Sequence, residues 1–218
     1  MNNEARTLPI ICITGPMAAG KNLVSDIFEA NGWACVDADK VAHLALKQLE
    51  SEIIQLHSVA AEKLNISLKN PDGSLNRKAI GKIVFSDPEA LAKHEALIHP
   101  ATEKLLIDFV NNHKNQPVGI NATVLYKTPN LLARCNAIVF VDAPKVLRMY
   151  RIKKRDKLPF LQILLRFRSQ KNIFAKYKKS NADIYRVWNI GNSYALKRKI
   201  ERILLIWNKK GLYGLLQQ

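Results

Sequence analysis

A short loop with a glycine near each end, Gly15-Pro16-Met17-Ala18-Ala19-Gly20-Lys21, separates an apolar run from an amphipathic segment. The apolar run at 8–13 is typical of a buried strand, and the segment at 23–30 has the spacing of a helix. Such a loop curls so that N–H groups face phosphate oxygens, while the helix N-terminus adds positive charge and the lysine reaches the outer phosphates. The pattern predicts a P-loop, the alternative being an ordinary glycine-rich turn. The predicted nucleotide-binding residues here are Gly15, Ala18, Ala19, Gly20, Lys21, Asn22 and Leu23.

The residue after the lysine is Asn22, where a P-loop normally has Ser or Thr to place a hydroxyl on the nucleotide's Mg²⁺. An amide oxygen can also bind Mg²⁺, directly or through water, but the side chain is longer than that of serine. Asn22 is therefore predicted to be a weak metal ligand.

Along the chain, apolar runs alternate with helical patterns, which is typical of parallel βαβ units. The alternation predicts an α/β fold. Strands are expected near 8–14, 33–37, 117–124, 136–142 and 184–189. Helices are expected near 21–31, 39–49, 50–64, 76–84, 88–112, 144–155, 160–178 and 193–208.

Two helical stretches interrupt this alternation, so we expect a single domain with two additions to its core. The expected core comprises 1–39, 116–155 and 183–218, with a helical insertion at 40–115 and a basic helical lid at 156–182. Within the insertion, Asp87 is placed to cap a helix whose first residue is Pro88. That helix should kink at the His99-Pro100 pair.

Two carboxylates follow the second expected strand in Asp37-Ala38-Asp39. Because ligands of an open parallel sheet bind beyond the carboxyl ends of its strands, both arrive at the edge where the P-loop begins. Asp37 is interpreted as a helix cap. Asp39 is predicted to orient and deprotonate an attacking hydroxyl, for which a carboxylate of ordinary pKa suffices in phosphoryl transfer.

Basic residues cluster late in the chain, between the fourth and fifth expected strands. Arg155, Arg166, Arg168 and Lys176 could close over a triphosphate and neutralise charge in the transition state, although for each residue alone a solvated surface charge is the better interpretation. The histidines form no nucleophilic or metal-binding set, and helix surface or local packing is the better interpretation of them: His43, His57, His94, His99 and His113.

The formal charge is +16, from 34 Lys and Arg against 18 Asp and Glu, which predicts attraction to anions without saying which. Only 7% of the residues are aromatic, and no interleaved basic and aromatic platform is evident, which disfavours nucleic acid as the partner. Cys12, Cys35 and Cys135 are far apart and show no metal-ligand spacing, and Cys12 and Cys35, which lie in apolar runs, are interpreted as small buried apolar residues. Because no apolar stretch has the length of a signal peptide or a membrane span, the expected location is the cytoplasm.

Several segments, in chain order and over nearly the whole chain, resemble the dephospho-coenzyme A kinase family. The Asp-Ala-Asp and His-Pro elements distinguish this family from other P-loop kinases. The segments that carry the resemblance are Ile13–Leu23, Asp37–His43, Asp72–Arg77, Phe85–Pro88, Leu97–Pro100, Arg166–Gln170 and, in part, Val187–Gly191.

The resemblance implies a P-loop kinase three-layer fold around a central, mostly parallel five-stranded sheet, with a helical substrate-binding insertion and a lid. It also implies that the γ-phosphoryl group of ATP is transferred, with Mg²⁺, to the ribose 3′-hydroxyl of dephospho-coenzyme A, the last step of coenzyme A biosynthesis. On this model Lys21, Asp39 and Arg155 are catalytic, and Arg168 and Asn189 bind the nucleotide. The acceptor-binding residues are then Asp39, His43, Arg77 and His99.

Three alternatives stay open at this point. The chain could be another small-molecule or nucleoside monophosphate P-loop kinase, or a nucleotide-binding relative with weakened catalysis. The second alternative rests on Asn22, Lys127 and Trp188, which stand where the family has a hydroxyl residue, a glutamate and an acid. A basic P-loop protein that binds nucleic acid without turnover is the alternative from a different class.

Overall fold

The computed structural model describes residues 8–156, 159–209 and 211. The chain divides into two compact units, a core unit of Met1–Asp37 with Phe109–Gln218 and an insertion unit of Ala38–Asp108. The predicted ranges 1–39, 156–182 and 183–218 extend over residues 1–7, 157, 158, 210 and 212–218, which lie outside the described residues.

A five-stranded sheet forms the centre of the core unit, and every neighbouring pair of its strands is parallel. The strands are β1 (Ile10–Thr14), β2 (Ala34–Asp37), β3 (Val118–Asn121), β4 (Ala137–Asp142) and β5 (Asp183–Trp188), in the spatial order β2-β3-β1-β4-β5. This confirms the predicted α/β fold and its five-stranded sheet. The carboxyl ends of all five strands meet at one edge, where parallel sheets bind their ligands.

The central strands are apolar because both faces of the sheet are covered. Ile11, Ile13 and Val139 are at most 1% exposed and belong to a cluster that includes Phe28 and Trp207 from two helices. Burial of such side chains is the main favourable contribution to the stability of the unit. Because β1 lies in the middle of the sheet, the loop that follows it starts from one of the best-anchored points of the fold.

Ten helices and one short 3₁₀ turn, Leu125–Lys127, complete the described part of the chain. The helices are α1 (Lys21–Glu29), α2 (Ala38–Gln48), α3 (Glu50–Lys63), α4 (Arg77–Ser86), α5 (Pro88–Asn112), α6 (Pro129–Ala133), α7 (Lys145–Asp156), α8 (Phe160–Ser169), α9 (Ile173–Tyr177) and α10 (Ser193–Lys209). The eight predicted helices cover nine of these ten, because one of them spans both α8 and α9, and α6 is the short helix that the sequence patterns miss.

The lid differs from the single helix expected over 160–178. It consists of α8 and α9, separated at Asn172, which adopts a left-handed conformation with φ 62°. Asparagine tolerates this conformation better than most residues, so it ends one helix and redirects the chain into the next. The strand expected over 117–124 likewise ends at Asn121, because the following residues turn into the 3₁₀ segment.

The insertion unit has a hydrophobic core of its own, in which Ile53 on α3, Ile80 and Ile83 on α4, and Ile98 on α5 pack together. The predicted start of α5 is confirmed, since the Asp87 carboxylate accepts a hydrogen bond from the backbone N–H of Glu89 at 2.9 Å. α5 then extends through Pro100 to Asn112 as one helix.

Two neighbouring histidines of the insertion unit, His57, which is buried, and His94, which is half-buried, make the stability of the unit depend on pH. Nε2 of His57 lies 3.1 Å from Nδ1 of His94, and His57 is 2% exposed. Burial lowers the pKa of both rings below the ordinary 6.5, and the proximity of His57 lowers the pKa of His94 further. The unfolded chain therefore binds protons more readily than the folded chain.

We expect the stabilisation from this pair to be complete above pH ~6.5 and to be lost as the pH falls through the lowered folded-state pKa values. Thermal unfolding followed by circular dichroism across this range should show the midpoint falling with pH. His94→Gln should make that dependence shallower, whereas His113→Gln, in the core unit, should not. Identical pH profiles for wild type and His94→Gln would contradict the assignment.

Candidate active site

The loop after β1 forms a tight curl in which two glycines occupy positions that no larger residue fits. Gly15 and Gly20 have φ values of 145° and 106°. A Cβ on Gly15 would overlap the carbonyl oxygen of Val141 on β4, and a Cβ on Gly20 would overlap the side-chain nitrogen of Asn189. Ala18 between them also has a positive φ, 59°, which costs a non-glycine residue about 1 kcal/mol. Contacts from neighbouring elements must therefore hold the loop in shape.

Three side chains bind the carbonyl oxygens of this loop from the protein side. Nε of Arg148 donates to Met17 O at 2.8 Å, and a terminal nitrogen of Arg151 donates to Ala18 O at 3.3 Å. The side-chain amide of Asn189 donates to Ala19 O at 2.8 Å. Carbonyl oxygens would repel a phosphate, and these three donors keep them on the side that faces the protein.

Asn189 lies in the turn after β5 and is 5% exposed. Its backbone N–H donates to Asp142 O at 2.7 Å, and its own carbonyl accepts from Arg151 at 3.2 Å. The structure thus gives Asn189 a role in holding the loop, and its predicted contact with the nucleotide stays a prediction.

α1 begins at Lys21, directly after Gly20, and has no acidic residue in its first turn. Its N-terminus therefore presents backbone N–H groups and partial positive charge to an anion. Two of the predicted nucleotide-binding residues have no side chain available for this purpose. Ala19 is fully buried, and its N–H already donates to Pro16 O at 3.1 Å. The Leu23 side chain packs against the hydrophobic core of the sheet, so Leu23 offers only its backbone.

Asn22 is exposed in the first turn of α1, and its Oδ1 accepts a hydrogen bond from Nδ2 of Asn121 at 3.0 Å. Asn121 is the last residue of β3 and is 4% exposed, so it fixes the direction of the Asn22 side chain. An amide oxygen has a second lone pair, which leaves Asn22 able to bind a cation. Among the described residues, no group of three or more His, Cys, Asp or Glu side chains could hold a metal ion. The donor set fits Mg²⁺ bound mainly by phosphate and water.

The predicted catalytic Arg155 lies at the end of α7, where it is paired with its neighbour Asp156. The guanidinium donates to both carboxylate oxygens at 2.7 and 3.0 Å. This hydrogen-bonded pair raises the pKa of Arg155 and lowers the pKa of Asp156. Both the Arg155 and the Arg168 side chains are exposed, and Arg168 lies in the last turn of α8.

Asp39 is exposed and is the second residue of α2, which starts directly after β2 ends at Asp37. Further along the insertion unit, the predicted acceptor residues His43 and Arg77 line one pocket of about 560 Å³ together with Lys47 and Lys78. The residues that line this pocket do not include His99, which lies on α5 with its Nε2 3.7 Å from a Glu95 carboxylate oxygen. The structure therefore brings two of the four predicted acceptor residues into one pocket, whose lining has more basic side chains than acidic ones, Glu50 being its carboxylate.

Sequence reasoning missed three residues that contact the loop, namely Arg148, Arg151 and Gln170. Gln170 follows α8, and its side-chain oxygen accepts from Met17 N at 2.7 Å. One available signal was spacing: Arg148 precedes the buried Ile152 by one turn of α7, so it occupies the face that packs inward. A charged residue on that face requires a specific partner.

Nucleophilic cysteine chemistry does not fit this site. Cys12 and Cys135 are buried, Cys35 is half-buried, and all three thiols are free. Burial raises the pKa of Cys35 to about 11 and also raises the pKa of Cys12 and Cys135. Because the thiolate is the reactive form, these residues are structural at neutral pH.

Comparison with known proteins connects this site to one family. The family model described as dephospho-CoA kinase matches residues 9–191. The dephospho-CoA kinase of Treponema denticola is 40% identical over 202 residues, which cover 90% of each chain.

Among the described residues, no helix combines the length and the apolar character that crossing a bilayer requires.

Solved structures agree with the sequence comparison. A Thermus thermophilus structure superposes with a TM-score of 0.76 at 27% identity and covers 92% of this chain and 98% of its own. A dephospho-CoA kinase from Campylobacter jejuni superposes with a TM-score of 0.58 at 25% identity and covers 90% and 96%. The fold carries a P-loop held by side-chain hydrogen bonds, and the family model matches most of the chain. The chain therefore belongs to the dephospho-CoA kinase family.

Proposed function

We propose that this protein transfers the γ-phosphoryl group of ATP to the ribose 3′-hydroxyl of dephospho-coenzyme A and so completes coenzyme A biosynthesis. The observation that carries the proposal is the P-loop at the N-terminus of α1, in a chain that the family model matches over residues 9–191. Both substrates are polyanions, which accounts for the formal charge of +16.

On the nucleotide side, the backbone N–H groups from Gly20 to Leu23 bind the phosphates of ATP, and Lys21 neutralises the charge that develops on the transferred group. Phosphoryl transfer depends on positioning and charge neutralisation more than on covalent help from the protein. Arg155 and Arg168 supply further positive charge to the triphosphate, and Asn189 holds the loop and lies near the adenine.

On the acceptor side, Asp39 orients the 3′-hydroxyl and accepts its proton. The pocket lined by His43, Arg77, Lys47 and Lys78 binds the anionic part of the acceptor, because ammonium and guanidinium groups form charge-assisted hydrogen bonds with phosphate. His99 retains its predicted role in acceptor binding as a proposal.

Mg²⁺ bound with ATP would draw charge from the β- and γ-phosphates. Asn22 is the residue of this chain that would hold it, with phosphate oxygens and water completing the shell. The three thiols are free, which fits the reducing conditions of the cytoplasm, where we place the enzyme.

Asn22→Ser should shift the Mg²⁺ dependence of activity to lower concentration. The serine hydroxyl fits a tight octahedral shell of about 2.1 Å better than the longer amide, and the substitution also removes the hydrogen bond to Asn121. The measurement is a Mg²⁺ titration of initial rate at fixed ATP, with Asn130→Ser on α6 as the matched exposed control. Superimposed curves for Asn22→Ser and wild type would show that Asn22 is remote from the metal.

A coupled assay of ATP consumption, with and without dephospho-coenzyme A, tests the proposed function. We expect ADP formation to depend on dephospho-coenzyme A and the product to carry one additional phosphate at the 3′ position. Adenosine monophosphate and shikimate serve as competing acceptors. Consumption with either of them and none with dephospho-coenzyme A would reassign the substrate, and no consumption with any acceptor would leave a nucleotide-binding relative without kinase activity.

A further inference from the structure

Met17, the third residue of the loop, is held through both of its backbone hydrogen-bonding groups. Its N–H donates to the side-chain oxygen of Gln170 at 2.7 Å, and its carbonyl accepts from Nε of Arg148 at 2.8 Å. One partner comes from the lid and the other from α7. The orientation of the peptides at Met17 is therefore fixed by two elements outside the loop.

Arg148 also contacts the lid directly. Its guanidinium carbon lies 4.4 Å from the centre of the Phe167 ring on α8, and the residue is 7% exposed. Burial lowers the pKa of this guanidinium, which the nearby Asp142 partly offsets. A cation over an aromatic face is attracted to it more strongly when the pair is shielded from water, so the ring is a substantial partner of Arg148.

Phe167 and Gln170 are three residues apart at the C-terminal end of α8 and therefore move together. If α8 moves away from the loop, Arg148 loses its contact with the Phe167 ring, and the Met17 N–H loses its acceptor, the Gln170 side chain, in the same step. The adjacent Ala18, at φ 59°, is then the residue most ready to relax, because its conformation is disfavoured without support.

We propose that Arg148 is a positioning residue that couples the position of the lid to the conformation of the P-loop, acting through Met17 and Phe167. Lid closure orders the loop that binds the phosphates, and phosphate binding favours the closed lid by the same factor, since coupling between two sites is reciprocal. This rests on the proposed function only in taking ATP as the ligand of the loop.

A double-mutant cycle on ATP affinity tests the coupling. Arg148→Met removes the hydrogen bond and the cation but keeps a long side chain, and Phe167→Leu removes the aromatic face but keeps the apolar packing. We expect each to weaken ATP binding by about tenfold, the effect of losing one charged hydrogen bond or one shielded cation–π contact. The double variant should be no weaker than either single variant, because both remove the same link.

Hydrogen exchange of the lid supplies the second measurement. In wild type, ATP should slow exchange over α8 and α9, and this slowing should be absent in Arg148→Met and Phe167→Leu. Arg198→Met, an exposed arginine on α10, is the matched control and should leave both readouts unchanged. Arg148→Lys keeps the charge without the planar stacking and should recover only part of the affinity.

Effects of Arg148→Met and Phe167→Leu that multiply in the double variant would overturn the proposal, as would lid protection that persists in both. If Arg148→Met does not fold, Phe167→Leu tests the coupling by itself. Unchanged ATP affinity and unchanged lid protection in Phe167→Leu would contradict the coupling. Wild-type protein that binds ATP with the expected lid response but does not phosphorylate dephospho-coenzyme A would support the coupling and refute the proposed function.

Discussion

Lys21→Ala should lower turnover by on the order of a hundredfold or more, the loss typical of removing one preorganised charge donor from a transition state. Lys21 is the first residue of α1, and alanine is a good helix former at that position, so the fold should be retained. Steady-state kinetics with dephospho-coenzyme A and ATP measure the effect, and circular dichroism verifies the fold.

Lys145→Ala provides a matched control for this variant. Lys145 is also the first residue of a helix, α7, and is exposed, but it lies outside the loop. We expect its turnover to equal that of wild type. A Lys21→Ala protein that folds and turns over at the wild-type rate would remove the P-loop from the mechanism.

Asp39→Asn should lower turnover by roughly 10²–10⁴-fold, the usual contribution of general acid–base catalysis. The substitution preserves size and hydrogen bonding but removes the proton acceptor, so the ATP affinity measured by direct titration should hardly change. The loose transition state of phosphoryl transfer needs little base assistance until late, which places the expected loss towards the lower end of that range.

Asp37→Asn is the control for Asp39→Asn, because the two carboxylates are separated by one residue. Asn caps a helix about as well as Asp, so this change should cost less activity. An inactive Asp37→Asn with a near-normal Asp39→Asn would reverse the two roles. Near-normal turnover in both would make the carboxylate pair structural and refute the proposed base.

The sheet could be predicted from the sequence because its strands are short apolar runs whose identity depends on local composition. Ile10–Thr14 and Ala137–Asp142 are of this kind, and both form at the predicted places. The division of the lid at Asn172 and the short α6 could not be predicted in the same way. Helical spacing continues across the division, and five residues are too few for a periodic pattern.

The P-loop could also be predicted from the sequence, because the spacing of its glycines indicates the backbone conformation directly. The side chains that hold the loop could not be predicted in this way, because Arg148, Arg151 and Gln170 lie more than a hundred positions away in sequence. Their donors and acceptors meet the loop only through the packing of α7 and the lid. In a strongly basic chain, the residue type alone carries no sign of such a role. For Arg148 the helical spacing was the one sequence signal, and its 7% exposure in the structure shows that it is buried.

The pairing of β1 also has a consequence for the order in which the chain acquires structure during synthesis. Ile11 pairs with Gly119 on β3 and with Ala137 on β4, so β1 has no strand partner until those residues have been made. At typical translation rates that delay is on the order of ten seconds. The insertion unit, whose described core residues all lie within it, can form during this interval and shorten the effective tether between β1 and β3. Until β3 emerges, the nascent chain therefore carries an apolar strand with two open edges, and this is the stage of its synthesis at which protection by a chaperone matters most.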